Sequence, residues 1–303
     1  PYPHALINGI DANKALSMPG VLAVITSADI QKAHLGPIPH NPVPSTNYDL
    51  KLRAPNGTHP TVDAHYLLPE DRVRYVGEAV AMVVAESLQQ AMDAVEAVIV
   101  DYFVLPHITE SKDAILPDAP QLYEHIENNV LIDTQFGDEV LTEKAFASAA
   151  HVFEHEFHIQ RVTGVTIEPR RALGSYDVDT GKFTLVAGSG GAVRQQSEIA
   201  AVLRIDASDI RVISPDVGGN FGTRNRVYIE FGLVLFAAKK INRPVKFTAT
   251  RSESFLTDYQ GRDLVTHIAL ALNADGKFLG LKCDNISNVG CLLYTSDAAD
   301  EED

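Results

Sequence analysis

Cysteine, positive charge and long apolar runs are all scarce in this sequence. Its 303 residues include two cysteines, Cys283 and Cys291, and their spacing matches no zinc or iron–sulfur pattern, so we interpret them as incidental thiols. The 25 Lys and Arg residues against 40 Asp and Glu residues leave a net charge of −15, and no dense basic stretch occurs. This balance argues against a nucleic-acid-binding protein. The longest apolar run, residues 231–238, is far shorter than the roughly 20 residues that cross a bilayer, so the sequence predicts no membrane span.

The remaining composition is typical of a globular protein, with 45% apolar and 21% charged residues. The first residues, PYPHALINGIDANKALSMPG, contain neither a basic segment followed by an apolar one nor an initiator methionine, so they do not form a signal peptide. We therefore expect a chain that begins inside a domain. We also expect a cytoplasmic location, with periplasmic export of a longer protein as the open alternative.

Residues 1–107 predict an α/β domain. VLAVIT predicts a strand, VRYVGEAVAMVVA one long strand or a strand pair, and IVDYFVLP a further strand. Ser87 is a predicted N-cap for the helix LQQAMDAVEAV. The apolar residues of this helix have the spacing of an amphipathic helix: Leu88, Ala91, Met92 and Val95. Residues 108–145 carry scattered Pro, Asp and Glu and predict a linker.

Residues 146–290 predict a mixed α+β domain. HVFEHEFHIQRV nearly alternates apolar and polar residues and predicts a half-buried strand. Two hairpins are predicted, with turns at DTG (179–181) and at DG (275–276), and VRQQSEIAAVLRI predicts a helix. The histidines of the first strand do not form HExxH, and strand alternation places His158 on the face opposite His151 and His155. We therefore assign no metal site.

Three glycines within five positions mark the segment DVGGNFGTR, between an apolar extended run and a long apolar helical run. Glycine costs conformational entropy, so it occurs where φ is unusual or where another group approaches the backbone closely. The segment lacks the Lys-Ser/Thr of a P-loop and the spacing of the GxGxxG dinucleotide motif. A helix beginning near Arg226 would offer free N–H groups to an anion. A tight turn without a ligand is the alternative.

Seven segments together indicate a family. HALINGID, ALSMPGVLAVITSADI, VGEAVAMVVAES and AVIVDYFVLP occur in the first region, and DVGGNFGTRNRVYIE, RPVKFTATRSESF and QGRDLVTHIALALNADGKFLGLKCDNISNVG follow. In this order they resemble the molybdenum-binding large subunit of the xanthine dehydrogenase and aldehyde oxidase family, in its carbon monoxide dehydrogenase large-subunit-like branch. The resemblance covers nearly the whole chain through Gly290. It implies an α/β-hammerhead domain at residues 1–107 and the first part of a molybdopterin-binding α+β domain at residues 146–290.

The resemblance also implies an oxidoreductase, a molybdenum hydroxylase. Relatives carry molybdenum on molybdopterin, commonly in its cytosine dinucleotide form in bacteria. A base-activated molybdenum hydroxyl attacks an electron-poor carbon of an aldehyde, an N-heterocycle or a small one-carbon compound, and hydride passes to a sulfido ligand. Electrons leave through 2Fe–2S clusters to FAD, which implies an iron–sulfur subunit and an FAD subunit as partners, in a dimer of heterotrimers.

The family pattern places the residues around the loop phenylalanine beside the cofactor, here Gly218, Gly219, Asn220, Phe221 and Gly222. Asn220 replaces the usual third glycine, and Asn tolerates left-handed φ better than most residues. At another position many relatives have a Gln hydrogen-bonded near molybdenum, and this sequence has Gly190. A water molecule, or a backbone N–H of Gly190 or Gly191, would then have to serve as the donor.

Other residues are assigned roles by the same resemblance. Arg224 and Asn225 are candidate substrate-binding residues, because relatives with purine substrates carry an acid near position 225; solvation of the helix start is the equal alternative. Glu168 and Arg170 match a family segment, and we interpret them as braces of the domain. No residue is assigned as catalytic, since the family's glutamate base lies near the far C-terminus of longer chains.

The end of the sequence, CLLYTSDAADEED, departs from the family pattern, and LYTSDAADE resembles translated adapter sequence at the ends of metagenomic reading frames. We therefore interpret the chain as a fragment truncated at both ends, inactive alone, with a non-native tail at residues 291–303 that packs on nothing. A non-catalytic scaffold or binding module that keeps the fold without molybdenum is the alternative function, and Gly190 is its main support.

Overall fold

The computed structural model describes residues 1–39, 52–58, 60 and 63–291. The predicted tail at residues 291–303 therefore lies outside the described residues, except for Cys291. The carbonyl of Cys291 accepts a hydrogen bond from Tyr123 Oη at 2.5 Å. The prediction that the tail packs on nothing is wrong for this one residue, because its backbone is held by a partly buried tyrosine.

The described part of the chain contains twelve strands: β1 (Ala5–Asp11), β2 (Val21–Thr26), β3 (Arg72–Val73), β4 (Ala81–Ala85), β5 (Ile99–Val104), β6 (His151–Thr163), β7 (Arg171–Asp177), β8 (Lys182–Ala187), β9 (Ile210–Ile213), β10 (Val245–Thr248), β11 (Gln260–Leu272) and β12 (Phe278–Ser287). They form four sheets, in the orders β3-β1-β5, β2-β4, β10-β7-β8-β9 and β12-β11-β6. The β8–β9 pair is parallel.

The described residues also form eight α-helices: α1 (Asn13–Leu16), α2 (Ser27–Lys32), α3 (Leu88–Val95), α4 (Ser111–Ala114), α5 (Glu139–Ser148), α6 (Ala192–Leu203), α7 (Ile229–Ile241) and α8 (Arg251–Thr257). The mixture of helices with mainly antiparallel sheets confirms the predicted α+β class. None of these helices is long and apolar enough to cross a membrane. Residues 108–145, predicted as a linker, include α4, a 3₁₀ turn at Glu127–Asn129 and most of α5.

Both predicted hairpins are confirmed. Strands β7 and β8 turn at Gly181 (φ +71°), whose N–H donates to the carbonyl of Asp177 at 2.8 Å. Strands β11 and β12 turn at Gly276 (φ +77°). The run VRYVGEAVAMVVA is not one long strand: it begins with Val73, the last residue of β3, and ends with β4, and these strands belong to different sheets.

Helix α3 is present with the predicted cap, since Ser87 Oγ accepts a hydrogen bond from the Gln90 N–H at 3.3 Å. Its predicted apolar face is nevertheless exposed: Leu88, Met92 and Val95 are 73%, 53% and 55% exposed. The helix packs instead through Ala94, in a small cluster of alanines with Ala15 and Ala97. Periodicity predicted the helix, but not which side of it the fold covers.

The prediction of a half-buried first strand in the second region is wrong. Every residue of β6 from 151 to 162 is exposed. The strand lies at the edge of its sheet, and none of the described helices covers either of its faces. Helix α5 packs on the far strand, β12, where a Cβ on Gly280 would lie 3.1 Å from Ala145 Cβ. The alternation of β6 is real, but neither of its faces is covered in the described part of the chain.

One buried apolar cluster joins the two regions. Helix α7 is buried along most of its length, together with Leu185 of β8 and Ile199 of α6, and Ile25 and Leu67 of the first region enter the same cluster. A Cβ on Gly232 would lie 2.8 Å from the Leu67 side chain, so this glycine permits the first region to approach the helix. The shared core fixes α7 and the segment that leads into it, which carries the glycine loop.

Candidate functional site

The glycine loop, residues 218–222, lies in irregular backbone between β9 and α7. Helix α7 begins at Ile229 and not near Arg226 as predicted, because the intervening residues form turns and an extended Tyr228. In these turns Thr223 N–H donates to the Asn220 carbonyl at 3.0 Å, and Asn225 N–H donates to the Gly222 carbonyl at 3.2 Å. The loop is therefore not the first turn of a helix, so any anion-binding amides here belong to the loop itself.

Three loop residues have left-handed backbone conformations: Gly219 (φ +116°), Phe221 (φ +50°) and Gly222 (φ +78°). The sequence predicted that Asn220, in place of the usual third glycine, would tolerate left-handed φ. Asn220 does not have positive φ, and Phe221 does. A non-glycine residue at positive φ is uncommon, and such residues concentrate at functional sites. The side chain of Phe221 is 68% exposed.

Consecutive main-chain amides of the loop are free. In the described part of the chain, the N–H groups of Gly219, Asn220, Phe221 and Gly222 donate to no protein acceptor. The Gly218 N–H differs, since it donates to Glu168 Oε2 at 2.6 Å. Successive free N–H groups in turns of mixed handedness form a concavity that attracts anions and other acceptors.

A second segment, residues 164–168, packs against the loop. A Cβ on Gly164 would lie 2.8 Å from Thr223 Cγ2, and one on Gly219 would lie 3.3 Å from Thr166. Glu168 N–H donates to the Gly218 carbonyl at 3.3 Å, which completes a two-way pairing with the loop. Glu168 thus braces the loop itself, consistent with its expected structural role.

Arg224 lies beneath the loop and is 3% exposed. Its guanidinium contacts the Asp258 carboxylate at 3.4 Å, and it donates to Thr166 Oγ1 at 2.7 Å and to the Glu168 carbonyl at 3.0 Å. Every one of these partners belongs to the protein interior or to the neighbouring segment. Arg224 therefore holds residues 164–168 against the loop.

Arg170, Asp258 and Glu230 extend this buried charge network. Arg170 pairs with Asp258 and, at 2.7 Å, with Glu230, and its guanidinium lies 4.4 Å from the ring centroid of Tyr228. Burial alone would lower the pKa of Arg170, but Glu230, Tyr228 and Asp258 together outweigh burial and raise it. Two arginines and two carboxylates thus form a balanced cluster under the loop.

Gly190 lies beside the loop, and its N–H donates to the Arg224 carbonyl at 3.2 Å. Gly191 is the N-cap of α6, and its N–H donates to Ser189 Oγ at 2.9 Å. Both amides are therefore occupied, which contradicts the expectation that one of them replaces the donor of a missing Gln. The space next to Gly190 is filled by the side chains of Asn220 and Asn225.

Other chemistry is sparse around the loop. Among the described residues, no group of three or more His, Cys, Asp or Glu could hold a metal ion. His158 instead contacts Glu156 at 2.8 Å on the exposed strand β6. A cavity of about 570 Å³ lies elsewhere, lined in part by Arg74, Tyr123 and Cys291, and none of the loop residues lines it.

Sequence reasoning missed three residues that shape the site. Thr166 and Asp258 bind Arg224, and Arg251 donates to the Thr166 carbonyl at 2.7 Å. They lie up to 92 positions apart along the chain, and none belongs to a recognisable spacing pattern. A buried aspartate next to an aromatic residue at the end of α8 carries no local signal of its charged partners.

Comparisons with known proteins agree with this architecture. The family model "Molybdopterin cofactor-binding domain" matches residues 122–301. The model "Aldehyde oxidase and xanthine dehydrogenase, a/b hammerhead domain" matches residues 1–106. The chain therefore belongs to the xanthine dehydrogenase and aldehyde oxidase family of molybdopterin-binding large subunits, as the resemblance indicated.

Individual relatives show how much of such a protein is present. The chain is 29% identical to the carbon monoxide dehydrogenase large chain of Hydrogenophaga pseudoflava, covering 98% of this chain and 36% of the relative. It is 32% identical to the nicotine 6-hydroxylase large subunit of Paenarthrobacter nicotinovorans, covering 93% and 33%. The structure of reconstituted CO dehydrogenase from Oligotropha carboxidovorans superposes with a TM-score of 0.82 at 29% identity, covering 94% and 34%. The chain thus spans about a third of the length of these relatives.

Proposed function

We propose that residues 218–222 hold the molybdopterin cofactor of a molybdenum hydroxylase, of which this chain forms the hammerhead domain and the first part of the cofactor domain. The observation that carries the proposal is the row of four amides from Gly219 to Gly222 that donate to no acceptor in the described part of the chain. These donors suit a ligand rich in acceptor oxygens, as the phosphates and the pterin carbonyl of molybdopterin are.

The surroundings of the free amides fit the same ligand. The Glu168 carboxylate, which contacts the loop, is already bonded to the Gly218 N–H and to Arg171, so it is neutralised. Exposed apolar side chains flank the amides: Phe221 in the loop itself, and Val165 and Ile167 in the segment that packs on it. An acceptor-rich group with a flat heterocycle matches this combination of donors and apolar surface.

The bound cofactor would supply two-electron oxidation at molybdenum, and the residues of this chain would position it. The loop amides would bind acceptor atoms, and Arg224 would keep residues 164–168 pressed against the loop. Gly219 and Gly222 have positive φ, which glycine adopts without steric cost. Asn225, whose side chain accepts a hydrogen bond from Asn220 of the loop, would contact the ligand bound there.

The complete assembly follows the resemblance to the family. We propose the cytosine dinucleotide form of the cofactor, with electrons passing to an iron–sulfur subunit and an FAD subunit in a dimer of heterotrimers. The relatives named "large chain" and "large subunit" support a multi-subunit enzyme. We propose an aldehyde, an N-heterocycle or a small one-carbon compound as the substrate class, and a cytoplasmic location.

The test is cofactor retention. The longest reading frame that contains this chain is produced in a host that makes molybdenum cofactor, and molybdenum and pterin are measured per mole of purified protein. We expect near-stoichiometric amounts in the wild-type protein. The variant Gly222→Val should lose the cofactor, because a β-branched side chain opposes φ +78° and narrows the loop.

Gly276→Val is the matched control, since Gly276 has nearly the same φ (+77°) and lies in an open hairpin turn with nothing within 4 Å of an added Cβ. It should suffer a similar backbone strain and keep its molybdenum. A folded wild-type protein without molybdenum or pterin would refute the proposal and favour the scaffold alternative. Equal retention in both glycine variants would refute the role of the loop.

A further inference from the structure

Gly190 is a glycine for reasons of space rather than backbone conformation. It does not have positive φ, so its backbone would accept alanine. A Cβ on Gly190 would, however, overlap Oδ1 of Asn225 and lie 2.6 Å from Nδ2 of Asn220. Two carboxamide side chains from the glycine-loop segment therefore occupy the volume that a side chain at position 190 would fill.

The neighbouring hydrogen bonds fix the orientation of both carboxamides. The Arg224 N–H can only donate, and it lies 3.0 Å from Asn220, so the atom it meets is Oδ1. The Nδ2 group of Asn220 then faces Asn225 and donates to Asn225 Oδ1 at 2.8 Å. Asn225 must consequently direct its own NH₂ group away from Asn220.

The NH₂ group of Asn225 is a free donor. It has no hydrogen-bond partner in the described part of the chain and is not among the enclosed polar atoms, so it remains open to solvent. The backbone amides of Gly190 and Gly191 are both occupied. On this side of the site, Asn225 therefore offers the side-chain donor that position 190 cannot.

We propose that Gly190 and Asn225 form a matched pair, in which the missing side chain at 190 admits the Asn225 carboxamide and Asn225 donates an N–H to an acceptor oxygen of the bound ligand. The packing part of this proposal stands on the structure of the protein alone. The identity of the ligand rests on the proposed function. The pair makes position 225 donor-only toward the ligand, so it selects for a carbonyl, oxo or phosphate oxygen and against a donor group.

A double-mutant cycle tests the packing. Gly190→Ala should lower the thermal midpoint by about 4 °C or more, since a contact shorter than a van der Waals distance must be relieved by displacing the asparagine pair. Gly191→Ala is the matched control, because Gly191 is extended (φ −176°) and has nothing within 4 Å of an added Cβ. In the Asn225→Ala background, Gly190→Ala should have a clearly smaller effect, because the overlap with Asn225 Oδ1 is gone and only the 2.6 Å contact with Asn220 Nδ2 remains. Equal losses in both backgrounds, or equal effects of the two glycine variants, would overturn the matched pair.

Asn225→Asp tests the donor role. Its inner oxygen can still accept from Asn220, so the midpoint should hardly change, while its outer oxygen can no longer donate. Molybdenum and pterin content is the readout. We expect at least about a tenfold loss of retained cofactor, because the variant loses one hydrogen bond and places a negative carboxylate against the acceptor oxygen. If the wild-type protein holds cofactor and Asn225→Asp holds the same amount, the donor role is wrong and the proposed function stands. If the wild-type protein holds none, the proposed function fails, while the double-mutant cycle still decides the packing.

Discussion

Replacing Asp258 by Asn tests whether the buried charge network is needed to hold the site. Asp258 is 5% exposed and lies between Arg170 and Arg224, each 3% exposed. Glu230 is the other carboxylate of the cluster and pairs with Arg170. Asp258→Asn keeps the size of the side chain and an acceptor oxygen, and removes one negative charge from between two buried guanidinium groups.

The expected loss of stability is large, although Asp258→Asn only replaces one carboxylate oxygen by an NH₂ group. Removing one partner of a buried ion pair typically costs about 3–5 kcal/mol, because an uncompensated charge remains in the interior. Glu230 still neutralises Arg170, so we expect the lower end, about 3 kcal/mol. For a protein of this size that corresponds to a fall in the thermal midpoint of about 6–12 °C. Most of the effect should come from Arg224, whose ion pair is with Asp258.

Urea unfolding followed by far-ultraviolet circular dichroism measures this loss, since the sequence contains no tryptophan. Glu143→Gln is the matched control. It breaks the Lys282–Glu143 ion pair, whose N–O distance of 2.6 Å is shorter than the 3.4 Å between Arg224 and Asp258. The Lys282 and Glu143 side chains are 37% and 61% exposed, so this substitution should cost less than about 1 kcal/mol. A loss below about 1 kcal/mol for Asp258→Asn, or one equal to that of the control, would refute the view that this network stabilises the site.

Three further predictions concern other parts of the molecule. Burial raises the pKa of Glu78 from 4.5 to about 7 and lowers that of His65 from 6.5 to about 4. The Glu78 contribution to stability is thus present below pH 4.5 and lost as pH rises to 7, whereas that of His65 is present above pH 6.5 and lost as pH falls to 4. The two groups therefore change the free energy of unfolding in opposite directions as pH rises. Glu78→Gln should show a steeper rise of this free energy from pH 4.5 to 6.5 than the wild type, measured by urea unfolding at each pH. An equal pH dependence of the two proteins would contradict this. Glu168→Ala should cost about 1–2 kcal/mol in the same assay, because the Gly218 N–H loses a charged acceptor, while Glu168→Gln should cost less. Ser87→Ala should cost about 1 kcal/mol through loss of the α3 cap, and an unchanged urea midpoint would refute that assignment.

The elements that sequence reasoning predicted well are those determined by neighbouring residues. The hairpin turn at Gly276 requires positive φ, and glycine supplies it without steric cost. The cap of α3 needs a hydroxyl three residues before the amide it accepts from, and Ser87 stands there. Such features are visible in a few adjacent letters, so the structure confirms them.

Burial was harder to predict because it depends on what lies above a surface. The stripe of Leu88, Met92 and Val95 has helical spacing, yet the helix packs through the single small residue Ala94. Strand β6 alternates as a half-buried strand does, yet it lies at a sheet edge with both faces open in the described residues. Periodicity reports which residues share a face, and only tertiary packing decides whether that face is covered.

The site divides along the same line. The glycine loop is a local feature, and the sequence located it. Its supports are not local: Asp258 lies 34 positions from Arg224, and Gly190 lies 35 positions from Asn225. From the sequence alone, Gly190 in place of the Gln of many relatives supported a non-catalytic scaffold. In the structure, the side chains of Asn220 and Asn225 occupy the space next to Gly190.

The site is built in two layers, and this arrangement determines how mutations should act. The lower layer, the charged network of Arg170, Arg224, Glu230 and Asp258, is largely buried and held by ion pairs within the protein, although Nε of Arg170 and Oε2 of Glu230 have no hydrogen-bond partner among the described residues. The upper layer, the free amides of the loop and the NH₂ group of Asn225, has no internal partners in the described part of the chain. Groups with internal partners stabilise the folded protein, whereas groups without them stabilise only the complex with a ligand. Changes in the lower layer should therefore lower stability first and cofactor retention as a consequence, and Asn225→Asp in the upper layer should lower retention while leaving the unfolding free energy almost unchanged.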